Sequence, residues 1–155
     1  MTSLEILDSD SFPFSAIASE GLRRHDVIIL PESMDGDIGV YRGEVTDIPK
    51  RLRVDGVDAD FAHAEDNRHW RELFGPTTAD IVVALTASFL ASGGWDTFKS
   101  TVLPYLDSPS RKMRLAIYVL RKDGTSIYAR MKGHGQDVIE ALSQLRELAD
   151  DPDSE

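Results

Sequence analysis

Four histidines, His25, His63, His69 and His134, are the side chains in this sequence best suited to chemistry, and two of them stand among carboxylates. If residues 64–74 form a helix, Glu65 and His69 at i, i+4 share one face, with His63 and Asp66 close by. Such a carboxylate and imidazole set is what a divalent transition metal takes as ligands. Nothing else in the sequence completes it. His63-Ala64-Glu65 also matches the His-x-Glu of zinc deaminases, but those sites draw further ligands from cysteine, and this chain has no cysteine. We therefore expect no metal and no cofactor. A small enzyme with its polar site between His63 and His69 stands as an alternative reading.

Other short patterns reduce to turn and cap chemistry. Gly133-His134-Gly135 beside Lys132 resembles the opening of a dinucleotide loop, yet Ile139 stands where the third glycine belongs. Asp137 would place a carboxylate where the phosphate should sit. The runs Asp35-Gly36-Asp37 and Asp55 to Asp60 lack the glycine and glutamate positions of a calcium loop, so they read as turn formers. There is no Gly-x-Ser-x-Gly elbow for a serine nucleophile. The expectation is a noncatalytic protein.

Charge distribution is more informative. The chain carries a formal net charge of −10, but residues 111–132 hold Arg111, Lys112, Arg114, Arg121, Lys122, Arg130 and Lys132 against the single acid Asp123. This segment reads as a β-hairpin. A three-residue loop 122–124 with Gly124 left-handed pairs Val119 with Ile127, Ile117 with Ala129 and Leu115 with Met131, which makes one face wholly apolar. A two-residue loop would turn Arg130 and Lys132 into that face, and burial disfavours it. The reverse face then pairs Tyr118 with Tyr128 and gathers Arg114, Arg130 and Lys132. Tyrosine and arginine are enriched in protein interfaces, so these five residues are the candidate partner-binding set. The competing reading is a sheet face whose arginines reach over acids of the same fold.

The elements that must position these residues can be read with uneven clarity. Residues 4–7, 27–30 and 40–45 are strand candidates, and Pro31 stops the second. Residues 52–61 read as strand, with Asp55-Gly56 either a tight turn or a bulge. Residues 64–74 read as a short helix with Trp70, Leu73 and Phe74 buried. A helix is expected over 77–91, capped by Thr77 and buried all round, followed by a second from Trp95 that Pro104 kinks or ends. A final helix starts after Gly135, with Asp137 and Glu140 at capping-box spacing and Val138, Ala141, Leu142, Leu145 and Leu148 on one stripe. Together these give an α+β fold of short N-terminal strands, a helix pair, a C-terminal β-hairpin and a final helix packed as one domain over 1–149. Residues 77–149 form its clearest ααββα part, and 150–155 an acidic disordered tail.

Composition bounds the rest. At 155 residues, 41% hydrophobic and 28% charged, the chain suits one globular domain rather than disorder. The absence of cysteine removes disulfides and thiol catalysis and fits a reducing compartment. The N-terminus lacks a basic region followed by a long apolar run, so a cytoplasmic location is expected. The most apolar run, 79–91, is short of the ~20 residues a membrane helix needs. No membrane association is expected, and the negative net charge argues against nucleic acid.

Residues 77–149 resemble the C-terminal part of the effector-associated constant component family, small adaptor modules of bacterial NTPase-based conflict systems. The resemblance is carried by Ile81-Val-Val-Ala-Leu85, Gly93-Gly94, Val102-Leu-Pro-Tyr-Leu106, Leu115-Ala-Ile-Tyr-Val119, Asp123-Gly124 and the run from Val138 to Leu145. It covers under half of the chain, and Pro104 departs from the uninterrupted helix end the family pattern leads one to expect. It implies a noncatalytic adaptor that docks a protein partner, an NTPase or effector component. A second binding reading is an acidic immunity-type protein that neutralises a basic toxin. Oligomeric state does not follow from the sequence.

Overall fold

The most apolar runs of the chain lie side by side in the middle of a six-stranded mixed sheet. The computed structural model describes residues 3–42, 47–71, 79–90, 94, 96–98, 100, 113–133 and 144. In chain order these give β1 (Ser3–Leu7), α1 (Ser15–Gly21), β2 (Val27–Ile29), β3 (Ser33–Asp35) and β4 (Ile38–Arg42). Then come α2 (Ile48–Val54), β5 (Ala59–Phe61), β6 (Arg68–Arg71), β7 (Ala79–Thr86), the helical turn α3 (Ala87–Phe89), β8 (Met113–Leu120) and β9 (Ser126–Gly133). The large sheet has the order β1-β9-β8-β7-β2-β5, and a small sheet has the order β3-β4-β6. The fold is α+β.

Parallel pairing of β7 with β8, with Val83 opposite Ile117 and Leu85 opposite Val119, sets the centre of the large sheet. Both of its faces are covered. On one, Val27, Ile29, Val83, Leu85, Ile117, Val119 and Ala129 join Ile48 and Leu52 of α2 with Phe89, Leu90 and Phe98. On the other, Ile28, Leu30, Ala84, Tyr118 and Tyr128 meet Phe12, Ala18 and Leu22 from the N-terminal segment and α1. A strand buried on both faces needs apolar residues at every position, which is why β2, β7 and β8 read as continuous apolar runs.

That property explains the main correction. The helix expected over 77–91 is strand β7 for residues 79–86, and helical geometry begins only at Ala87, where the Thr86 side chain accepts a hydrogen bond from the Phe89 N–H at 3.2 Å. Thr77 lies outside the described residues. A continuous apolar run carries no period that separates a buried strand from a buried helix. The β-branched Ile81-Val82-Val83 favoured the strand.

Residues 52–61 are corrected as well. Leu52 belongs to α2, whose first turn carries Pro49 and whose buried Ile48 and Leu52 are four residues apart; Gly56, at φ +88°, follows its end, and strand begins only at Ala59. The helix expected over 64–74 is instead a 3₁₀ turn at Glu65–Asn67 followed by β6, which pairs in parallel with β4. Trp70 is 37% exposed rather than buried. Leu73 and Phe74 lie outside the described residues.

The strand readings at 4–7 and 27–30 hold, and the one at 40–45 overlaps β4. The sequence reading passed over α1 and β3. Beyond Leu90, residues 96–98, 100 and 144 are helical. Trp95, Pro104, the stripe from Val138 to Leu148, the ends of the last two expected helices and the tail 150–155 lie outside the described residues. Among the described residues no helix is long and apolar enough to cross a membrane.

The hairpin has the expected register in full: Leu115 opposite Met131, Ile117 opposite Ala129, Tyr118 opposite Tyr128, and Val119 opposite Ile127. Arg121 and Thr125 close a three-residue loop through a 2.8 Å backbone hydrogen bond, and Gly124 sits at φ +90°. The Thr125 hydroxyl and N–H both donate to Asp123 Oδ1, which holds that carboxyl below the usual range.

Candidate functional site

The reverse face of the hairpin divides into a roofed half and an open half. In the roofed half Tyr118 and Tyr128 are only 5% and 7% exposed. Phe12 lies over both rings, stacked on Tyr118 at 5.0 Å between centroids and tilted on Tyr128 at 4.8 Å. The Tyr118 hydroxyl is within 3.3 Å of Ser19 Oγ on α1. These tyrosines therefore form the second core and present no ring to a partner. A sheet with apolar residues on both faces needs two covers, and the sequence reading supplied one.

In the open half, Ala116 pairs with Arg130 and Arg130 with Glu5; Arg114 pairs with Lys132 and Lys132 with Ser3. Strand alternation places Arg114, Arg130 and Lys132 on the face that holds the tyrosines further along. All three are exposed. Arg130 donates to Glu5 Oε1 at 3.0 Å, with both side chains about half exposed (54% and 55%). Such a pair contributes little to stability. Arg114 and Lys132 stand directly opposite each other on the two strands. With Glu32, Val82 and Ala116 they border a shallow hollow of about 250 Å³. Arg111 and Lys112 lie outside the described residues.

The histidine segment forms a different site from the one its spacing suggested. Glu65 lies in the 3₁₀ turn and His69 on β6, so the shared helix face does not exist. Alternation along β6 sends His69 to the face opposite Arg68 and Trp70, and among the described residues no cluster of three or more metal-ligating side chains occurs. His63 instead packs against Tyr41, its Nδ1 2.9 Å from the hydroxyl oxygen, which is also 3.4 Å from the Ile29 carbonyl.

Burial pushes the Tyr41 hydroxyl above its ordinary value, so it keeps its proton. Burial, and then the charge of Arg68, lowers His63. A neutral imidazole that accepts the Tyr41 proton at the shorter contact carries its own hydrogen on Nε2. Gly39 permits this arrangement, because a Cβ there would meet His63 Nδ1 at 2.6 Å.

His63 lines a cleft of about 500 Å³ between α1 and the exit of β5, which Glu20, Arg24, His25, Asp60 and Arg68 also border. At one end, His25 Nδ1 is 2.6 Å from Asp58 Oδ1 and its Nε2 is 3.9 Å from Asp60. Asp60 accepts the Phe61 N–H at 2.8 Å and stands 3.7 Å from Arg53. At the other end, the Arg68 guanidinium lies 4.4 Å from the centroid of the Phe61 ring. Cleft residues Arg24 and Arg68 carried no sequence signal, and Asp60 only that of an acidic turn, since only the meeting of α1, β5 and β6 brings them together.

No family model, no curated protein and no solved structure matches this chain.

Proposed function

We propose that this chain is a noncatalytic binding module that docks an acidic protein partner through Arg114, Arg130 and Lys132. The observation that carries this reading is the open half of the hairpin's reverse face. Three exposed cations stand together there on a chain of net charge −10, on strands paired side by side. The resemblance of residues 77–149 supports an adaptor role in a bacterial effector or conflict system, with an NTPase or effector component as partner, in the cytoplasm. Its first motif, Ile81 to Leu85, is a central strand here.

The test is co-purification of tagged protein with the products of adjacent genes, for wild type and for Arg114→Glu with Arg130→Glu. The adaptor reading expects capture that weakens with salt and is lost in the double reversal while unfolding stays cooperative. Retained capture overturns it. The immunity reading is favoured by a separate observation, strand β3 and the turn that follows, which are exposed at every position and bear Asp35 and Asp37. Under it, reversal of those two acids abolishes capture and reversal of the arginines does not.

A further inference from the structure

Arg68 is a half-buried cation of the polar cleft that, among the described residues, no acid engages. Its Nε is buried and has no hydrogen-bond partner. Among the described residues no carboxylate forms an ion pair with it, although Glu20, Asp60 and Glu65 border the same cleft. Its guanidinium is held instead by aromatic faces, with Cζ 4.4 Å from the Phe61 centroid and 6.0 Å from that of Trp70. A buried donor left unsatisfied forfeits its hydrogen bonds to water with no return. A guanidinium held by its π-face still offers its edge N–H groups, which suit the two oxygens of a carboxylate or phosphate.

The surroundings define what could sit there. With the single Tyr41 proton given to Nδ1, the shorter of its two contacts, rather than to the Ile29 carbonyl, His63 brings a second, neutral donor at Nε2. Asp60 is turned toward the Phe61 N–H, Arg53 and His25, so its carboxylate is already committed. Glu20 and Glu65 are exposed at the border and would repel a polyanion such as nucleic acid, while a compact group with one or two charges avoids them. A volume of about 500 Å³ is that of a small-molecule site.

We propose that this cleft binds the oxyanion group, carboxylate or phosphate, of a small ligand, with the Arg68 guanidinium as the principal contact and His63 Nε2 as a second donor. The site is separate from the docking platform.

The experiment is a titration of the full chain with inorganic phosphate and, separately, with acetate, followed through the ¹H–¹⁵N signals of the Arg68 Nε–H and the Phe61 and His63 amides. A saturable shift of the Arg68 Nε–H is expected with at least one anion, and the stronger anion identifies the ligand's group. Arg68→Gln should weaken that binding by about tenfold or more, the loss of one charge-assisted contact. Arg114→Gln with Arg130→Gln should leave it unchanged, which separates this site from the platform. If Arg68→Gln fails to fold, the wild-type signal alone decides. The proposal is overturned if neither anion moves the Arg68 Nε–H, if Arg68→Gln binds as wild type does, or if that signal answers to Glu65→Gln and not to added anion.

Discussion

The two sheets solve the same problem in opposite ways. The large sheet buries β2 and the roofed half of the β8–β9 hairpin on both faces, and its inner side chains Val83, Leu85, Ile117 and Ala129 show no exposure. The small sheet leaves Met34, Ile38 and Trp70 between 37% and 40% exposed and, among the described residues, enters the main core through one ring, Tyr41. The large sheet has redundant anchoring, while the small sheet is tied to it by Tyr41 with the hydrogen bonds around it and by Arg68 and Trp70 against Phe61. Polar clefts belong beside the second kind of region, where backbone exits and half-buried side chains meet.

Substitutions can break that contrast. The largest effect is expected for Ile117→Asp, which puts an unpaired carboxylate at the centre of the large sheet and should cost upward of about 4 kcal/mol, measured by chemical denaturation. A loss near 1 kcal/mol would mean that the sheet is not closed on that face. Phe12→Ala removes the roof over Tyr118 and Tyr128 and should cost roughly 3 kcal/mol. If it costs under about 1 kcal/mol, in the range of ordinary surface changes, the tyrosines are not core.

Tyr41→Phe keeps the ring and removes the hydroxyl, so it should lower stability by about 1 kcal/mol and loosen the small sheet first. Hydrogen exchange in β4 and β6 ought then to quicken while β7 and β8 stay protected; equal quickening everywhere would make the two sheets one cooperative unit. Smaller still is a pH effect. Because His63 is lowered in the folded state, the unfolded chain takes up a proton first as pH falls below about 6.5, the ordinary imidazole value. Stability therefore declines from that pH downward until the folded ring also protonates, and His63→Gln should flatten this part of the profile. An unchanged slope in the variant would assign the decline to other groups.

Legibility in the sequence followed the same division. The hairpin register was fully readable, since only one alignment of residues 115–131 keeps Leu115, Ile117, Val119, Ile127, Ala129 and Met131 on a common face, and Asp123-Gly124 fixed the turn. What could not be read was the cover on the other side. Phe12 lies more than a hundred residues from Tyr118, and no local pattern announces their stacking. Strand β7 was misread for the reason it is central: complete burial erases periodicity. The cleft was hidden differently. Its histidine segment suggested a helix by i, i+4 spacing, whereas parallel pairing with β4 set β6, and pairing partners distant in sequence leave no local trace.

The edge pairing of β1 with β9 has a consequence for synthesis. Ser3 meets Lys132 and Leu7 meets Tyr128, so β1 leaves the ribosome more than a hundred residues ahead of β9, its neighbour in the described sheet, and waits for it. Until Met113 and the residues after it emerge, β7 has one long side open, and its apolar Ile81-Val82-Val83 backbone is free to pair with another chain. Such late closure of distant contacts predicts slow folding for a chain of this size. Slowed translation before residue 113, or crowded expression, should send this protein into aggregates more readily than weakening of the finished sheet would.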